Sequence, residues 1–232
     1  MKVILFDIDG TLVRAGGAGR KALARAAEAL YGRPGLTEGI DMAGRTDAWI
    51  CRQVFRRARG RAPSVADFTE LRDAYLRRLP GTVRKAVAEG RYVLPAGVKA
   101  LVRRLAKERD VLLGLGTGNF ERGARIKLGP GGLNRFFAFG GFGCDGLDRC
   151  RILKTAARRA RRLAPGGKLE VFVVGDTPHD VSAGRKAGYT TVAVGTGFAP
   201  WKELAASKPD HLARDFKSMG RWLGWFGIAS RR

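Results

Sequence analysis

The chain has 232 residues, 45% of them hydrophobic and 28% charged, with 44 Lys and Arg against 21 Asp and Glu. That apolar share supports a packed core and excludes a disordered chain, and the length suits one domain or a core carrying a smaller inserted one. The net charge of +23 favours polyanions in general, but it is spread almost evenly along the chain. Arginine runs such as Arg56, Arg57, Arg59 and Arg61 fit solvated helix faces, so a nucleic-acid-binding protein stands second to a globular one with a basic surface.

In chain order, Lys2 to Phe6 is the first short apolar run. It is too brief for a membrane span or a signal-peptide core and Asp7 ends it, which reads as a soluble, cytoplasmic protein. Residues 14–92 then show helical patterns (Ala22 to Leu30, Trp49 to Arg57, Phe68 to Leu79) and no strand. They read as an all-helical insertion, with Gly16, Gly17 and Gly19 on one side and Pro95 and Gly97 on the other as joints. The remainder, 1–13 and 93–232, is an α/β alternation. Helical spacing in Val98, Leu101, Val102 and Leu105 precedes a run at Val111 to Leu115. Phe136 to Phe139 is a further strand, Ile152 to Leu163 a helix, Val171 to Val174 and Thr190 to Val194 two more strands. His211-Leu212 opens a last short one before Trp222 to Phe226. Near-continuous apolar runs of this length predict a parallel sheet covered by helices on both faces, a Rossmann-like α/β core.

Several features carry little chemistry. Cys51, Cys144 and Cys150 form no C-x-x-C pair and read as reduced thiols, the latter two as small packing residues. His179 and His211 leave little material for a zinc site, and His179 reads as a loop histidine. Gly141, Gly143 and Gly146 match G-x-G-x-x-G, but late in the chain rather than opening the first βαβ unit, which argues against dinucleotide binding. Trp201, Trp222, Trp225 and Phe226 read as packing at the sheet edge.

The chemistry lies just past the carboxyl ends of the strands. Asp7-Ile8-Asp9-Gly10-Thr11 places two carboxylates at the end of a buried strand, where open α/β sheets bind their ligands, and alternation points both to one side. Two such close carboxylates repel, and a divalent cation is the usual remedy. The next strand ends in Gly114-Leu115-Gly116-Thr117-Gly118-Asn119, offering a hydroxyl and amides to an anion. A third ends in Gly175-Asp176-Thr177-Pro178-His179-Asp180, adding two carboxylates at the same edge.

With these three motifs in order, the sequence resembles the haloacid dehalogenase superfamily over essentially its whole length, specifically the phosphoglycolate phosphatase type with a helical cap inserted after the first motif. The resemblance implies a magnesium-dependent phosphomonoesterase acting on a small phosphorylated metabolite. In that scheme Asp7 is the nucleophile, Asp9 the general acid/base, Thr117 and Asn119 bind phosphate, Mg2+ is held by Asp7, the Asp9 carbonyl and Asp176, and Asp180 orients ligands from behind them. A sugar phosphomutase is the alternative within the superfamily, and a basic nucleic-acid-binding protein, either non-enzymatic or trimming terminal phosphates, is the alternative from another class. The family's basic residue commonly stands in a Lys-Pro pair roughly 26 residues before the late acidic motif, and no Lys-Pro occupies that place in this sequence. Arg149, after Asp148 at a helix start, is the favoured replacement, with Lys154 and Arg151 remaining open. Gly44-Arg45-Thr46-Asp47 resembles a cap stretch of phosphoglycolate phosphatases, which makes Arg45 a candidate for a substrate carboxylate.

Overall fold

The computed structural model describes residues 1–229. Six parallel strands form the main sheet: β1 (Lys2–Phe6), β4 (Val111–Gly116), β5 (Phe139–Gly141), β6 (Glu170–Gly175), β7 (Thr190–Val194) and β8 (His211–Ala213). They lie in the order β5-β4-β1-β6-β7-β8. β1 is central, with Phe6 opposite Leu115 of β4 and Val174 of β6. The β1, β4 and β6 ends therefore bring all three predicted motifs to one edge.

Alternation along β1 divides the core. Ile4 and Phe6 face α4 (Val98–Leu105), α5 (Glu121–Leu128) and α9 (Met219–Trp225), while Val3 and Leu5 face α6 (Arg149–Leu163) and α7 (Pro178–Ala187). Trp222 and Phe226 are fully buried in the first cluster, as their packing reading requires. A short helix, α8 (Trp201–Ala206), precedes β8.

Residues between β1 and α4 build a separate apolar cluster from α1 (Ala18–Tyr31), α2 (Asp47–Arg59) and α3 (Val65–Ala88). Side chains fix where these helices begin: Thr46 accepts from Trp49 N at 3.1 Å, and Ser64 and Asp67 form a reciprocal capping box. The sequence pattern predicts no strand in this region, yet Arg14–Ala15 (β2) and Tyr92–Val93 (β3) pair antiparallel where the chain leaves and re-enters the α/β core. Two residues on each side are too few to show periodicity, and their pairing is long-range. Gly16 and Gly17, beside this ribbon, both take positive φ.

Two other expectations shift. The strand expected at Phe136 to Phe139 begins only at Phe139, because Asn134–Phe136 is a 3-10 turn. Cys144 is exposed rather than packed, whereas Cys51 is buried among the inserted helices. No helix among the described residues is long and apolar enough to cross a membrane.

Candidate active site

Beyond Phe6 the backbone must turn sharply at the sheet edge. The Ile8 carbonyl accepts from the amides of Thr11, Leu12 and Val13, and Gly10 has φ +89°. A Cβ on Gly10 would also lie 2.8 Å from the Gly197 backbone and collide with the Asp176 carboxylate, so glycine is required twice over. This turn sends Asp7 and Asp9 into one cavity of about 430 Å3 between the sheet edge and the inserted helices.

Asp7 is almost fully buried. The guanidinium of Arg149, the first residue of α6, lies 3.3 Å from its Oδ1 and also pairs with Asp180. Arg149 further donates to the Gly44 carbonyl of the inserted region at 3.2 Å. Lys154 and Arg151 are exposed and line an open groove on the outer face of α6, away from this edge. Of the three candidate cations, the fold brings Arg149 to the aspartates.

Asp176 and Asp180 come from the β6 end and the first turn of α7. Asp176 accepts from the Thr11 hydroxyl at 2.9 Å and from Phe198 N at 3.3 Å. Asp180 closes a capping box with Thr177 through Oδ2, leaving Oδ1 for Arg149. One oxygen from each of Asp7, Asp176 and Asp180 can be chosen so that all lie within 4.8 Å of one another. Burial raises Asp7 to about 6, with Arg149 opposing and the charges of Asp180 and Asp9 reinforcing the rise. Burial also drives Asp176 well above its ordinary value, with Asp180 and Asp7 adding to the effect. Three buried carboxylates thus share too little positive charge. The set consists only of oxygen donors, which is the chemistry of a hard divalent cation.

The β4 loop closes the other side. Thr117 is buried, its hydroxyl favours the Asp7 carboxylate, and it accepts from the Asn119 side-chain amide at 2.9 Å. Asn119 also donates to Asp9 Oδ2 at 2.9 Å, so its side chain ties the loop to Asp9. Gly118 packs against the inserted region, where a Cβ would sit 2.6 Å from the Arg45 carbonyl. The same loop explains Gly143 of the glycine-rich stretch, which is pressed against the Gly118 carbonyl and supports this turn. Arg45 is exposed at the cavity rim, stacked 4.8 Å over Trp49, with no carboxylate partner among the described residues. His179 lies in the first turn of α7 rather than in a loop, packed against Gly44; burial, then Arg45 and Arg149, lower its pKa.

One residue is absent from the motifs legible in the sequence. Lys127 of α5 is buried, and its Nζ donates to Asp9 Oδ2 at 2.6 Å and to Asn119 Oδ1 at 2.5 Å. A signal for it exists: Gly123, Ala124, Lys127 and Leu128 share the buried face of α5, and a lysine there needs a partner.

Comparison with known proteins places the chain in a family. A family model described as haloacid dehalogenase-like hydrolase matches residues 1–188. No curated protein matches the sequence. Among solved structures, CbbY from Rhodobacter sphaeroides in complex with phosphate is 20% identical, with TM-score 0.68 over 94% of this chain and 96% of that one. A predicted phosphoglycolate phosphatase from Haemophilus somnus 129PT is 18% identical, with TM-score 0.67 over 96% and 97%. A Bacteroides vulgatus protein provisionally named β-phosphoglucomutase is 19% identical, with TM-score 0.64 over 98% and 89%. At these identities the structures establish a shared fold. Together with the family match across most of the sequence, and with acidic and hydroxyl motifs converging on one sheet edge, they show that the chain belongs to the haloacid dehalogenase-like hydrolases.

Proposed function

We propose that this hydrolase is a magnesium-dependent phosphomonoesterase that works through an aspartyl phosphate on Asp7, with residues 14–92 acting as a cap over a core of residues 1–13 and 93–232. The observation that carries the reading is the arrangement at Asp7: a buried carboxylate 3.3 Å from a guanidinium, grouped with two further carboxylates and beside a threonine-glycine-asparagine turn. An Asp–Arg pair alone would make a structural salt bridge. The surplus of buried acid and the adjoining amides suit a site for a phosphate dianion and a cation together.

Asp7 attacks phosphorus and expels the alkoxide, which divides hydrolysis into two easier displacements. Asp9 protonates the departing oxygen and then takes a proton from the water that cleaves the acyl phosphate. Arg149, Thr117 and the amides of the Gly118-Asn119 turn hold the equatorial phosphoryl oxygens, where charge is spread in the transition state. Asp7, the Asp9 carbonyl and Asp176 would hold Mg2+, with Asp180 steadying Arg149 and the neighbouring carboxylates. Bound there, the ion offsets the charge of phosphate and carboxylates in the transition state.

The substrate is a small phosphorylated metabolite, limited by the roughly 430 Å3 cavity. Arg45 at its rim suits a carboxylate on the leaving group. The test is a panel of carboxylated and uncarboxylated phosphate monoesters with the purified protein and Mg2+. Turnover of small esters, with a higher kcat/KM for carboxylated ones that falls in Arg45→Ala, is the expected result. Interconversion of sugar phosphates without phosphate release would replace this reading with that of a mutase.

A further inference from the structure

Lys127 is not required for any step described above, yet its burial is costly. A buried ammonium is retained only where charge and hydrogen bonds compensate for lost hydration. Burial by itself would lower its pKa, but the charges of Asp9 and Asp47 outweigh that and raise it, so the side chain is a cation. Its position is equally specific. α5 belongs to the core, but the ammonium reaches the seam with the inserted helices, where Gly19 of α1 leaves room for it near the Tyr75 hydroxyl of α3. Asp47 of α2 meets the same seam, accepting from Phe120 N at 2.9 Å while its own amide donates to the Gly118 carbonyl at 2.8 Å.

The contacts on Asp9 are one-sided. Both Lys127 Nζ and the Asn119 amide bond Oδ2, at 2.6 and 2.9 Å, while Oδ1 has no hydrogen-bond partner among the described residues. The Asp9 side chain is 39% exposed and lines the cavity, whereas that of Lys127 is 6% exposed. A carboxylate pinned by one oxygen from behind presents the other forward. We propose that Lys127 is the positioning residue for Asp9, anchoring Oδ2 together with Asn119 so that Oδ1 is the oxygen that exchanges a proton with the leaving group and with water. The cation does not touch the phosphoryl group in this role. Because it is enclosed by residues of α1, α2 and α3 as well as by the core, the anchor is complete only when those helices are seated.

The inference rests on the phosphatase reading and is tested by the leaving group. Expulsion of an alkoxide needs a proton, whereas 4-nitrophenolate leaves without one, and kcat/KM reports steps only through the first irreversible one. Wild type, Lys127→Met, Asp9→Asn, the double variant and Lys154→Ala are compared on an alkyl phosphate and on 4-nitrophenyl phosphate. Lys127→Met should lose about a hundredfold in kcat/KM on the alkyl ester and only a few fold on the aryl ester. Asp9→Asn should show the same asymmetry, the double variant should be scarcely worse than Asp9→Asn, and Lys154→Ala should match wild type. Equal losses of Lys127→Met on both esters would assign Lys127 to phosphate binding or folding, and no loss on either would leave it without a role; each overturns the proposal. Where Lys127→Met fails to melt cooperatively, Lys127→Gln, which still offers a donor, takes its place with the same expected asymmetry. A wild type inert towards both esters, with Asp7→Asn equally inert, instead removes the phosphatase reading on which the inference stands.

Discussion

The two aspartates of the first loop are separated by one residue but held by opposite halves of the site. Asp7 is buried and faces Arg149 on α6, in company with Asp176 and Asp180. Asp9 is more open and is tied from behind to Lys127 and Asn119, beside the inserted helices. The first half concentrates negative charge around one guanidinium and suits a cation and a phosphate. The second is a hydrogen-bonded network in which one ammonium and one amide hold a single oxygen of Asp9 and aim the other. The division teaches that similar residues on one loop acquire different chemistry from what the fold places behind them.

The sharpest way to break this comparison is at Asp7. Asp7→Asn keeps the shape but cannot form the acyl phosphate, so activity should fall by more than about a thousandfold. Its melting temperature should hold or rise, because burial already pushes the Asp7 carboxyl up to about 6 and the amide removes that buried charge. Retention of a tenth of wild-type turnover would show that the two halves do not divide the chemistry in this way.

Removing divalent cations comes next. Chelation should abolish turnover and Mg2+ should restore it, because Arg149 is the one salt-bridge partner of the Asp7, Asp176 and Asp180 group among the described residues. Full activity in metal-free buffer, or restoration by zinc alone, would refute the assignment.

The third test separates Arg149 from its sequence competitors. Arg149→Ala should cost about 3 kcal/mol of transition-state stabilisation, typical of losing one preorganised donor. Arg149→Lys should recover part of this, since charge remains while the fork whose one nitrogen faces Asp7 and Asp180 and whose other reaches the Gly44 carbonyl is lost. Lys154→Ala, on the exposed face of α6, should be close to wild type in kcat/KM. A large loss there with a normal Arg149→Ala would reverse the roles.

The same contrast governs how legible the site is in the sequence. Asp7, Thr117 and Asp176 each come directly after an apolar strand, so a local pattern and the rule for parallel sheets place them at one edge. Arg149 is narrowed by a helix start at Asp148, but only the fold distinguishes it from Lys154. Lys127 is 118 residues from its partner Asp9, and no local spacing reveals that pairing. The β2–β3 ribbon is hidden for the same reason, being two residues on each side of a long insertion. Local periodicity writes the elements into the sequence, whereas contacts made by single side chains across the fold leave only faint marks, such as a lysine on a buried helix face.

The smallest expected effect concerns Asp47, the carboxylate that the Lys127 half draws from the inserted helices. Burial raises Asp47 from 3.8 to about 6, against the opposing pull of Lys127 and of the Phe120 amide. The folded protein therefore holds this proton more tightly than the unfolded chain does. Between about pH 4 and 6 the native state binds more protons, so this group makes stability fall as pH rises through that window and contributes a constant penalty above it. Asp47→Asn keeps an oxygen for Phe120 N but cannot ionise. Its melting temperature relative to wild type should rise from pH 4 to 6 and then level off, measured as a difference so that shared titrations of Asp7 and Asp176 cancel. Parallel profiles would show that Asp47 does not titrate across the window. A variant that becomes less stable than wild type above pH 6 would instead make the Asp47 charge a necessary partner of Lys127, binding the inserted helices to the Asp9 half more strongly than burial opposes it.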